Sequence, residues 1–165
     1  MMKKILNVQA RTEEEAQRQN LFHTRCHVQD KVCSLIIDGG SCTNVASEYM
    51  VNQLGLTIKK HPKPSNRHWL NDKGEMRVNS QVSISLSIGK YDNEMLCYVL
   101  PMEASHILFG RPWQYDRQVT HEGSTNRYAF EFKGKRHTLV PMTPFEIYQD
   151  QKKKGKQAEK DTYKQ

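Results

Sequence analysis

The sequence contains no long hydrophobic run. Its apolar stretches are only a few residues long, whereas a helix that crosses a membrane needs roughly 20 such residues. Residues 1–19 include basic side chains, but their apolar stretch is too short for a signal peptide and is followed by acids. We therefore predict an intracellular, cytoplasmic protein that has no membrane partner.

Paired cysteine motifs are also absent. The cysteines are irregularly spaced and include no Cys-x-x-Cys pair: Cys26, Cys33, Cys42 and Cys97. In a chain without a secretion signal, such cysteines are expected to be reduced thiols. His23 and His27 lie near two of them, but no zinc knuckle results, so we predict no metal site and no cofactor. Cys42 has no local histidine partner and is predicted to be a small buried thiol rather than a nucleophile.

Aromatic residues are scarce in the most basic part of the chain. Residues 150–165 hold six lysines against three acids, a net charge of +3 out of +7 for the whole chain. Only Tyr163 interleaves with these lysines, so a stacking platform for single-stranded nucleic acid is not indicated. Such a tail can touch phosphates nonspecifically, but a solvated linker is the preferred interpretation. We predict no specific nucleic-acid partner.

Between its polar ends the chain has the pattern of β-strands. "QVSISLSIG" alternates apolar and polar residues with the period of two that one buried face requires. "MLCYVLPM" then returns as the second strand of a hairpin, and "YAFEFKGKRHTLV" and "HWLNDKGEMRV" predict two further hairpins. We therefore predict a mainly β domain.

Only one or two short helices are predicted. "VASEYMVNQLGL" places apolar residues on one helical face, with Thr43 or Asn44 as the N-cap and Gly55 at the end. A short turn is predicted in "GRPWQYD", where Pro112 suits the first helical turn. Trp69 and Trp113 are predicted to pack in the core rather than to line a groove.

Asp38 ends the most apolar of the predicted strands. In "SLIIDGGSCTNVAS", Leu35, Ile36 and Ile37 lead into this acid, and Gly39 and Gly40 follow. Because glycine readily takes positive φ, backbone N–H groups can turn back toward the carboxylate. The arrangement suits a carboxylate that must be fixed and hydrogen-bonded. On this tripeptide alone, a plain hairpin turn fits about as well.

A second segment, "ASHILFGRPWQYDR", follows about 70 residues later. Together with "LIIDGGSCTNVAS" and the helix predicted after it, this segment resembles the retropepsin-type aspartic proteases of gypsy-class LTR retrotransposons, particularly those of plants. "THEGSTNRYAFEFKGKRHTLVPMTP" is similar to the closing hairpin of these domains and to the start of the linker toward a reverse transcriptase. The resemblance covers residues 20–148, between a polar N-terminal extension, residues 1–19, and a basic C-terminal linker or tail, residues 149–165.

The resemblance implies a retropepsin-like closed β-barrel, the acid protease fold, and cleavage of a gag-pol polyprotein. It assigns Asp38 as the catalytic acid and Gly39, Gly40 and Ser41 as its loop. The later apolar run that supports this loop corresponds to Leu108, Phe109, Gly110 and Arg111. The flap that closes over a peptide substrate corresponds to the hairpin tip, namely Leu70, Asn71, Asp72, Lys73 and Gly74.

The chemistry of this class requires two carboxylates about 3 Å apart that share one proton. The chain offers one such loop, because Asp72 and Asp92 lie in turn-like polar stretches without an apolar strand before them. The prediction is therefore a symmetric homodimer in which each protomer supplies one Asp38. Ser41 fits either a hydrogen bond to the carboxylates or a plain turn serine.

Two positions depart from the family pattern. Gly39 stands where the family usually carries Ser or Thr, whose hydroxyl bonds across the dimer. Cys42 stands where many members carry an acid that pairs with the residue corresponding to Arg111, for which Glu48 is an alternative partner. These departures leave two functions open, an active aspartic endopeptidase and a catalytically impaired dimerisation or peptide-binding module. Nucleic-acid binding through the basic tail is a third, weaker alternative.

Overall fold

The computed structural model describes residues 21–60, 68–71, 74–77 and 80–163. In these ranges the strands are β1 (Phe22–Val28), β2 (Lys31–Ile37), β3 (Val45–Ser47), β4 (Lys59–Lys60), β5 (His68–Asn71), β6 (Gly74–Arg77), β7 (Ser80–Ile88), β8 (Tyr91–Leu100), β9 (Ile107–Phe109), β10 (Thr120–Glu122), β11 (Arg127–Phe132) and β12 (Lys135–Leu139). The helices are α1 (Glu48–Gln53), α2 (Arg111–Asp116) and α3 (Pro144–Tyr163).

Six strands close into a mixed barrel in the order β1-β2-β9-β3-β8-β7. The barrel closes where β7 returns to β1 at the pair His27↔Ser87. The pairs β2–β9 and β3–β8 are parallel, and the other neighbours are antiparallel. Strand β4 extends the sheet beyond β7, while β10-β11-β12 and β5-β6 form two smaller sheets. The closed, mainly β barrel predicted from the sequence is confirmed.

The core follows the alternation of the sequence. On β7, Val82, Ile84 and Leu86 are buried while the residues between them are not, as a strand with one apolar face requires. Trp113 is fully buried, stacks on Phe109 with ring centroids 4.9 Å apart, and donates its indole N–H to the Tyr91 hydroxyl at 3.1 Å. The predicted core position of Trp113 is thus confirmed, whereas the side chain of Trp69 lies outside the described residues.

The three predicted hairpins are present as β5–β6, β7–β8 and β11–β12. The predicted turn in "GRPWQYD" is helix α2, with Pro112 in its first turn. The one or two short helices that the sequence predicts are present as α1 and α2, and α3 is a further helix that was not predicted.

The start of α1 differs from the prediction. Its N-cap is Ser47, whose hydroxyl accepts a hydrogen bond from the Met50 N–H at 3.1 Å. A cap at Thr43 or Asn44 was wrong because Val45–Ser47 form β3 between β9 and β8. The predicted end is confirmed, since Gly55 has φ +64° and its N–H donates to the Asn52 carbonyl at 3.3 Å, the closure in which a left-handed glycine ends a helix.

Helix α3 runs through the predicted boundary between residues 148 and 149. It begins with a reciprocal cap, in which the Thr143 N–H donates to Glu146 Oε1 at 3.1 Å and the Glu146 N–H donates to Thr143 Oγ1 at 3.2 Å. The division into 1–19, 20–148 and 149–165 stays a prediction, and residues 1–19 lie outside the described part.

No helix in the described ranges is long and apolar enough to cross a membrane.

Candidate active site

Strand β2 carries Asp38 to the surface of the barrel. Leu35, Ile36 and Ile37 are buried, and the parallel partner β9 lies alongside them, with Ile37 opposite Phe109. The Asp38 N–H continues this pairing by donating to the Phe109 carbonyl at 2.9 Å. The strand pairing therefore fixes the backbone of Asp38, while the residue itself is half-buried.

The loop after Asp38 holds one carboxylate oxygen. The Gly40 N–H donates to Asp38 Oδ1 at 2.9 Å, and the Ser41 N–H donates to the Asp38 carbonyl at 3.1 Å. The Ser41 hydroxyl donates to the Thr43 carbonyl at 2.8 Å, which is the role of a turn serine. Among the described residues Asp38 Oδ2 has no hydrogen-bond partner, so this oxygen is available to water or substrate.

Gly110 passes directly beneath this loop. A Cβ at position 110 would lie 2.3 Å from the Thr43 carbonyl oxygen and 2.7 Å from the Ser41 carbonyl oxygen, so only glycine fits. The Gly110 N–H donates to Asn44 Oδ1 at 2.9 Å, and the Arg111 N–H donates to the Ser41 carbonyl at 2.8 Å. The loop is thus bonded from below by main-chain groups of the predicted supporting segment.

The structure has room for a Cβ at Gly39. A Cβ at this position would make ordinary van der Waals contacts, 3.5 Å from Nε2 and 3.5 Å from Oε1 of Gln114. The φ of Gly39 is outside the left-handed region that favours glycine. Neither packing nor backbone conformation therefore requires glycine here, in contrast to Gly110.

The predicted site residues fall into two groups. The structure brings the Asp38–Ser41 loop together with the segment Leu108–Arg111, whereas the predicted flap lies in the separate sheet β5-β6. In that hairpin Leu70 pairs with Glu75, and Asn71 pairs with Gly74. Asp72 and Lys73 lie outside the described residues.

The surroundings of Cys42 contradict one prediction. Cys42 is exposed, because the loop turns Thr43 and Asn44 into the interior at this point; predicting a buried thiol was wrong. Arg111 is also exposed, and no ion pair joins it to Glu48 in the part of the chain that the structure describes.

Sequence reasoning missed three side chains near Asp38. Asn44 ties the loop to Gly110, and Gln114 lies against Gly39. Tyr128 is the third, since burial and, secondarily, the negative charge of Asp38 raise the pKa of its hydroxyl. The only local signal for Tyr128 is the alternation of its strand, and Gln114 has none, because both residues are far from Asp38 along the chain.

The other cysteines do not form a metal centre. Cys26 and Cys33 lie opposite each other on β1 and β2, and both are buried. Burial raises the pKa of the Cys26 thiol and raises that of Cys97 to about 12, which disfavours the thiolate that a metal needs. The described ranges contain no group of three or more His, Cys, Asp or Glu residues that could hold a metal ion.

Comparison with known proteins gives a structural likeness only. No family model matches the sequence, and no curated protein matches it. The retroviral protease-like domain of Ddi1 from Leishmania major superposes with a TM-score of 0.55 at 8% identity, covering 74% of this chain and 94% of that one.

Two further solved structures are less similar. The EIAV protease complexed with the inhibitor HBY-793 gives a TM-score of 0.42 at 15% identity, covering 57% of this chain and 85% of that one. A retropepsin-like aspartic protease from Rickettsia conorii gives 0.45 at 18% identity, covering 62% and 76%. The barrel topology and the likeness to the Leishmania domain together show that this chain has the retropepsin-like fold.

Proposed function

We propose that the protein is an aspartic endopeptidase in which Asp38 of two identical protomers forms the catalytic dyad. This proposal rests on the position of Asp38, which lies at the end of a buried strand. Its backbone is fixed by Phe109, one carboxylate oxygen is held by the Gly40 N–H, and the other has no hydrogen-bond partner among the residues that the structure describes. A carboxylate that is fixed on one side and accessible on the other suits general acid–base chemistry.

Homodimer formation follows from the chemistry of the reaction. Two carboxylates about 3 Å apart share one proton, because both cannot ionise at that distance. The ionised carboxylate takes a proton from water, whose oxygen attacks the scissile carbonyl carbon. The protonated carboxylate transfers its proton to the carbonyl oxygen as the tetrahedral intermediate forms. When this intermediate collapses, the C–N bond breaks, the leaving nitrogen takes the proton that came from water, and a hydroxyl proton returns to the second carboxylate. One chain supplies one such loop, so two chains are needed.

The proposed substrate is a polypeptide. The flap hairpin, with Leu70, Asn71, Asp72, Lys73 and Gly74 at its tip, would close over it and exclude water. The resemblance of "LIIDGGSCTNVAS" and "ILFGR" to retrotransposon proteases supports the polyprotein of such an element as the natural substrate and an intracellular location. No cofactor takes part in this mechanism.

A catalytically impaired dimerisation or peptide-binding module is the second candidate, and Gly39 favours it. Without a hydroxyl at position 39, a dimer lacks two symmetric hydrogen bonds of about 1 kcal/mol each. The loss corresponds to a dimer affinity about thirtyfold weaker. Such a protein would keep its fold while the dyad assembled inefficiently.

Cleavage of a diverse peptide library by the purified full chain, between pH 4 and 7 and at several protein concentrations, distinguishes the two functions. We expect cleavage that rises steeply with protein concentration and is abolished in Asp38→Asn. Asp92→Asn is the matched control, because Asp92 is an exposed aspartate on β8; it should cleave like the unmodified protein. A folded, dimeric protein without cleavage would refute the endopeptidase and leave the binding module.

A further inference from the structure

The side chain of His106 acts as a hydrogen-bond acceptor for the backbone where β9 begins. Its Nδ1 accepts a hydrogen bond from the Ser34 N–H of β2 at 3.0 Å, and the Ser34 hydroxyl oxygen lies 3.3 Å from the same nitrogen. A backbone N–H can only donate, so Nδ1 carries no proton and the ring is neutral, with its proton on Nε2. The bond to the Ser34 N–H therefore exists in only one protonation state of the imidazole.

The main chain of His106 joins the same part of the barrel. Its N–H donates to the Ser34 carbonyl at 3.2 Å and to Ser34 Oγ at 3.0 Å, and its carbonyl accepts from the Ser47 N–H of β3 at 2.7 Å. His106 thus ties β2 and β3 to the start of β9. At the other end of this three-residue strand, the Phe109 carbonyl accepts the hydrogen bond from the Asp38 N–H. A change at His106 can therefore reach Asp38 through one short strand.

Several charged or titratable groups surround this contact. The elements around His106 carry His23 and Arg25 on β1, Glu48 on α1, Glu146 and Asp150 on α3, and Glu103 on the loop before β9. His23 and Asp150 line a small cavity together with Ser34. The charge of Asp150 is offset, because Arg25 donates two hydrogen bonds to it. Histidine is the side chain that ordinarily changes charge between pH 5 and 8, so an experiment on His106 must control for His23.

We propose that His106 is a pH-sensitive clamp, which as a neutral imidazole fastens β9 to β2 and when protonated releases the Ser34 N–H and loosens the backbone at Asp38. A proton on Nδ1 occupies the lone pair that accepts the bond and sets two N–H groups against each other. The side chain is half-buried, so solvent protons can reach it. His106 is then a positioning residue, which acts on Asp38 through β9.

The direction of the pH effect follows from the bonded form. Stability that depends on the neutral ring is present at higher pH and is lost as the pH falls through the titration of the ring. An ordinary histidine titrates at about pH 6.5. The clamp is therefore closed in neutral and alkaline solution and opens in mild acid, within the pH range used for the cleavage assay. This inference does not depend on the proposed function.

Hydrogen exchange of the Ser34 and Asp38 amides, followed by NMR on the unmodified full chain at pH 7.5 and pH 5, tests the clamp. We expect the protection factor of Ser34 to be at least about fivefold lower at pH 5, as for the loss of one hydrogen bond, and that of Asp38 to fall with it. In His106→Asn neither protection factor should change, because asparagine Oδ1 can accept the bond in place of Nδ1 but does not titrate.

Two histidines of β1 provide matched controls. His23 lines the neighbouring cavity, and His27 is exposed on the same strand. His23→Asn and His27→Asn should both keep the pH response of the Ser34 and Asp38 amides. His106→Leu has no acceptor, so its Ser34 amide should be weakly protected at both pH values. This variant carries the test if His106→Asn does not fold.

Three results would overturn the proposal. They are equal protection of Ser34 at both pH values in the unmodified protein, an undiminished pH response in His106→Asn, and a response at Ser34 that leaves Asp38 unchanged. None of these measurements requires cleavage of a peptide. Failure of the clamp and failure of the proposed endopeptidase are therefore separate results.

Discussion

At the scale of single residues, the loop around Asp38 depends on one glycine far more than on the others. Gly110 lies under two carbonyl oxygens at distances that no Cβ tolerates. Gly123 has nothing within 4 Å of its Cβ position and no left-handed φ. The same substitution at these two positions therefore has different consequences.

We expect Gly110→Ala to destabilise the protein by at least about 3 kcal/mol, because the loop backbone must move to admit the methyl group. Gly123→Ala should change the free energy of unfolding by no more than about 0.5 kcal/mol. Urea denaturation followed by circular dichroism measures both. Equal stabilities for the two variants would contradict the close backbone approach at Gly110.

The cysteines should differ in reactivity. Cys42 is exposed, while Cys26, Cys33 and Cys97 are buried, and burial raises the pKa of Cys26 and Cys97. In the native protein at pH 8, iodoacetamide should modify Cys42 at least tenfold faster than the other three, because the thiolate reacts. Peptide mapping by mass spectrometry gives the rates. Equal alkylation rates for all the cysteines of the folded protein would show that Cys42 is not exposed to solvent.

At the scale of elements, Arg25 on β1 links α3 to the barrel through its contacts with Asp150 and Glu146. Arg25 on β1 donates from Nε to Asp150 Oδ2 at 3.1 Å and from its terminal nitrogen to Asp150 Oδ1 at 2.8 Å. The hydrogen bond to Asp150 is the main reason that the pKa of Arg25 is raised. The Met142 N–H adds a backbone bond to the His23 carbonyl at 2.8 Å.

Arg25→Ala should loosen this attachment. Because the Arg25 side chain is 42% exposed, we expect a loss of only about 0.5–1 kcal/mol, which appears as faster hydrogen exchange at the start of α3. Adding 1 M salt to the unmodified protein should produce part of the same change. Arg127→Ala, at an exposed arginine of β11, is the control. Unchanged exchange in Arg25→Ala would mean that the backbone contacts alone hold the helix.

The cap of α3 should be sensitive to acid. Hydrogen bonds from the Thr143 backbone and hydroxyl, in that order, lower the pKa of Glu146. A lowered folded pKa contributes stability above the pKa of the unfolded chain, and this stability is lost as the pH falls through the folded value. The Thr143 amide resonance should therefore move as Glu146 protonates, at a pH below that of an ordinary glutamate. A transition at or above the ordinary value would contradict the cap.

Some local sequence patterns predict these strands and helices reliably, and others do not. Alternation on β7 and β11 predicted strands correctly, since one buried face imposes that period. The short apolar run "VAS" before α1 fits both a helical face and a buried strand, so the pattern alone does not separate β3 from the helix. At α3 two signals conflict, because "TPFE" is a capping pattern whereas the lysines after it are typical of a solvated linker.

At the scale of the whole molecule, the barrel closes at a narrow seam. Strands β7 and β8 pair over eight residues, whereas β1 and β7 share the single pair His27↔Ser87. We expect amides at this seam to exchange faster than those in the middle of β7–β8, because fewer ladder bonds must open. Hydrogen exchange monitored by NMR tests this order. Equal protection at both places would show a seam as strong as the rest of the barrel.

The candidate site could be predicted from the sequence only in part. Asp38 and Gly110 can be identified from short motifs, Asp-Gly-Gly and Leu-Phe-Gly-Arg. The positions of Gln114 and Tyr128 near Gly39 and Asp38 arise only after the barrel has closed. No local pattern encodes contacts between segments so distant in the chain.

The groups that hold Asp38 in place belong mainly to the main chain. The Asp38 N–H bonds to the Phe109 carbonyl, the Gly40 N–H to the carboxylate, and the Arg111 N–H to the Ser41 carbonyl. Apart from proline, every residue type carries these same backbone groups. Side chains at most of these positions can therefore differ while the loop after Asp38 keeps its shape, which is consistent with a fold like that of the Leishmania domain at only 8% identity.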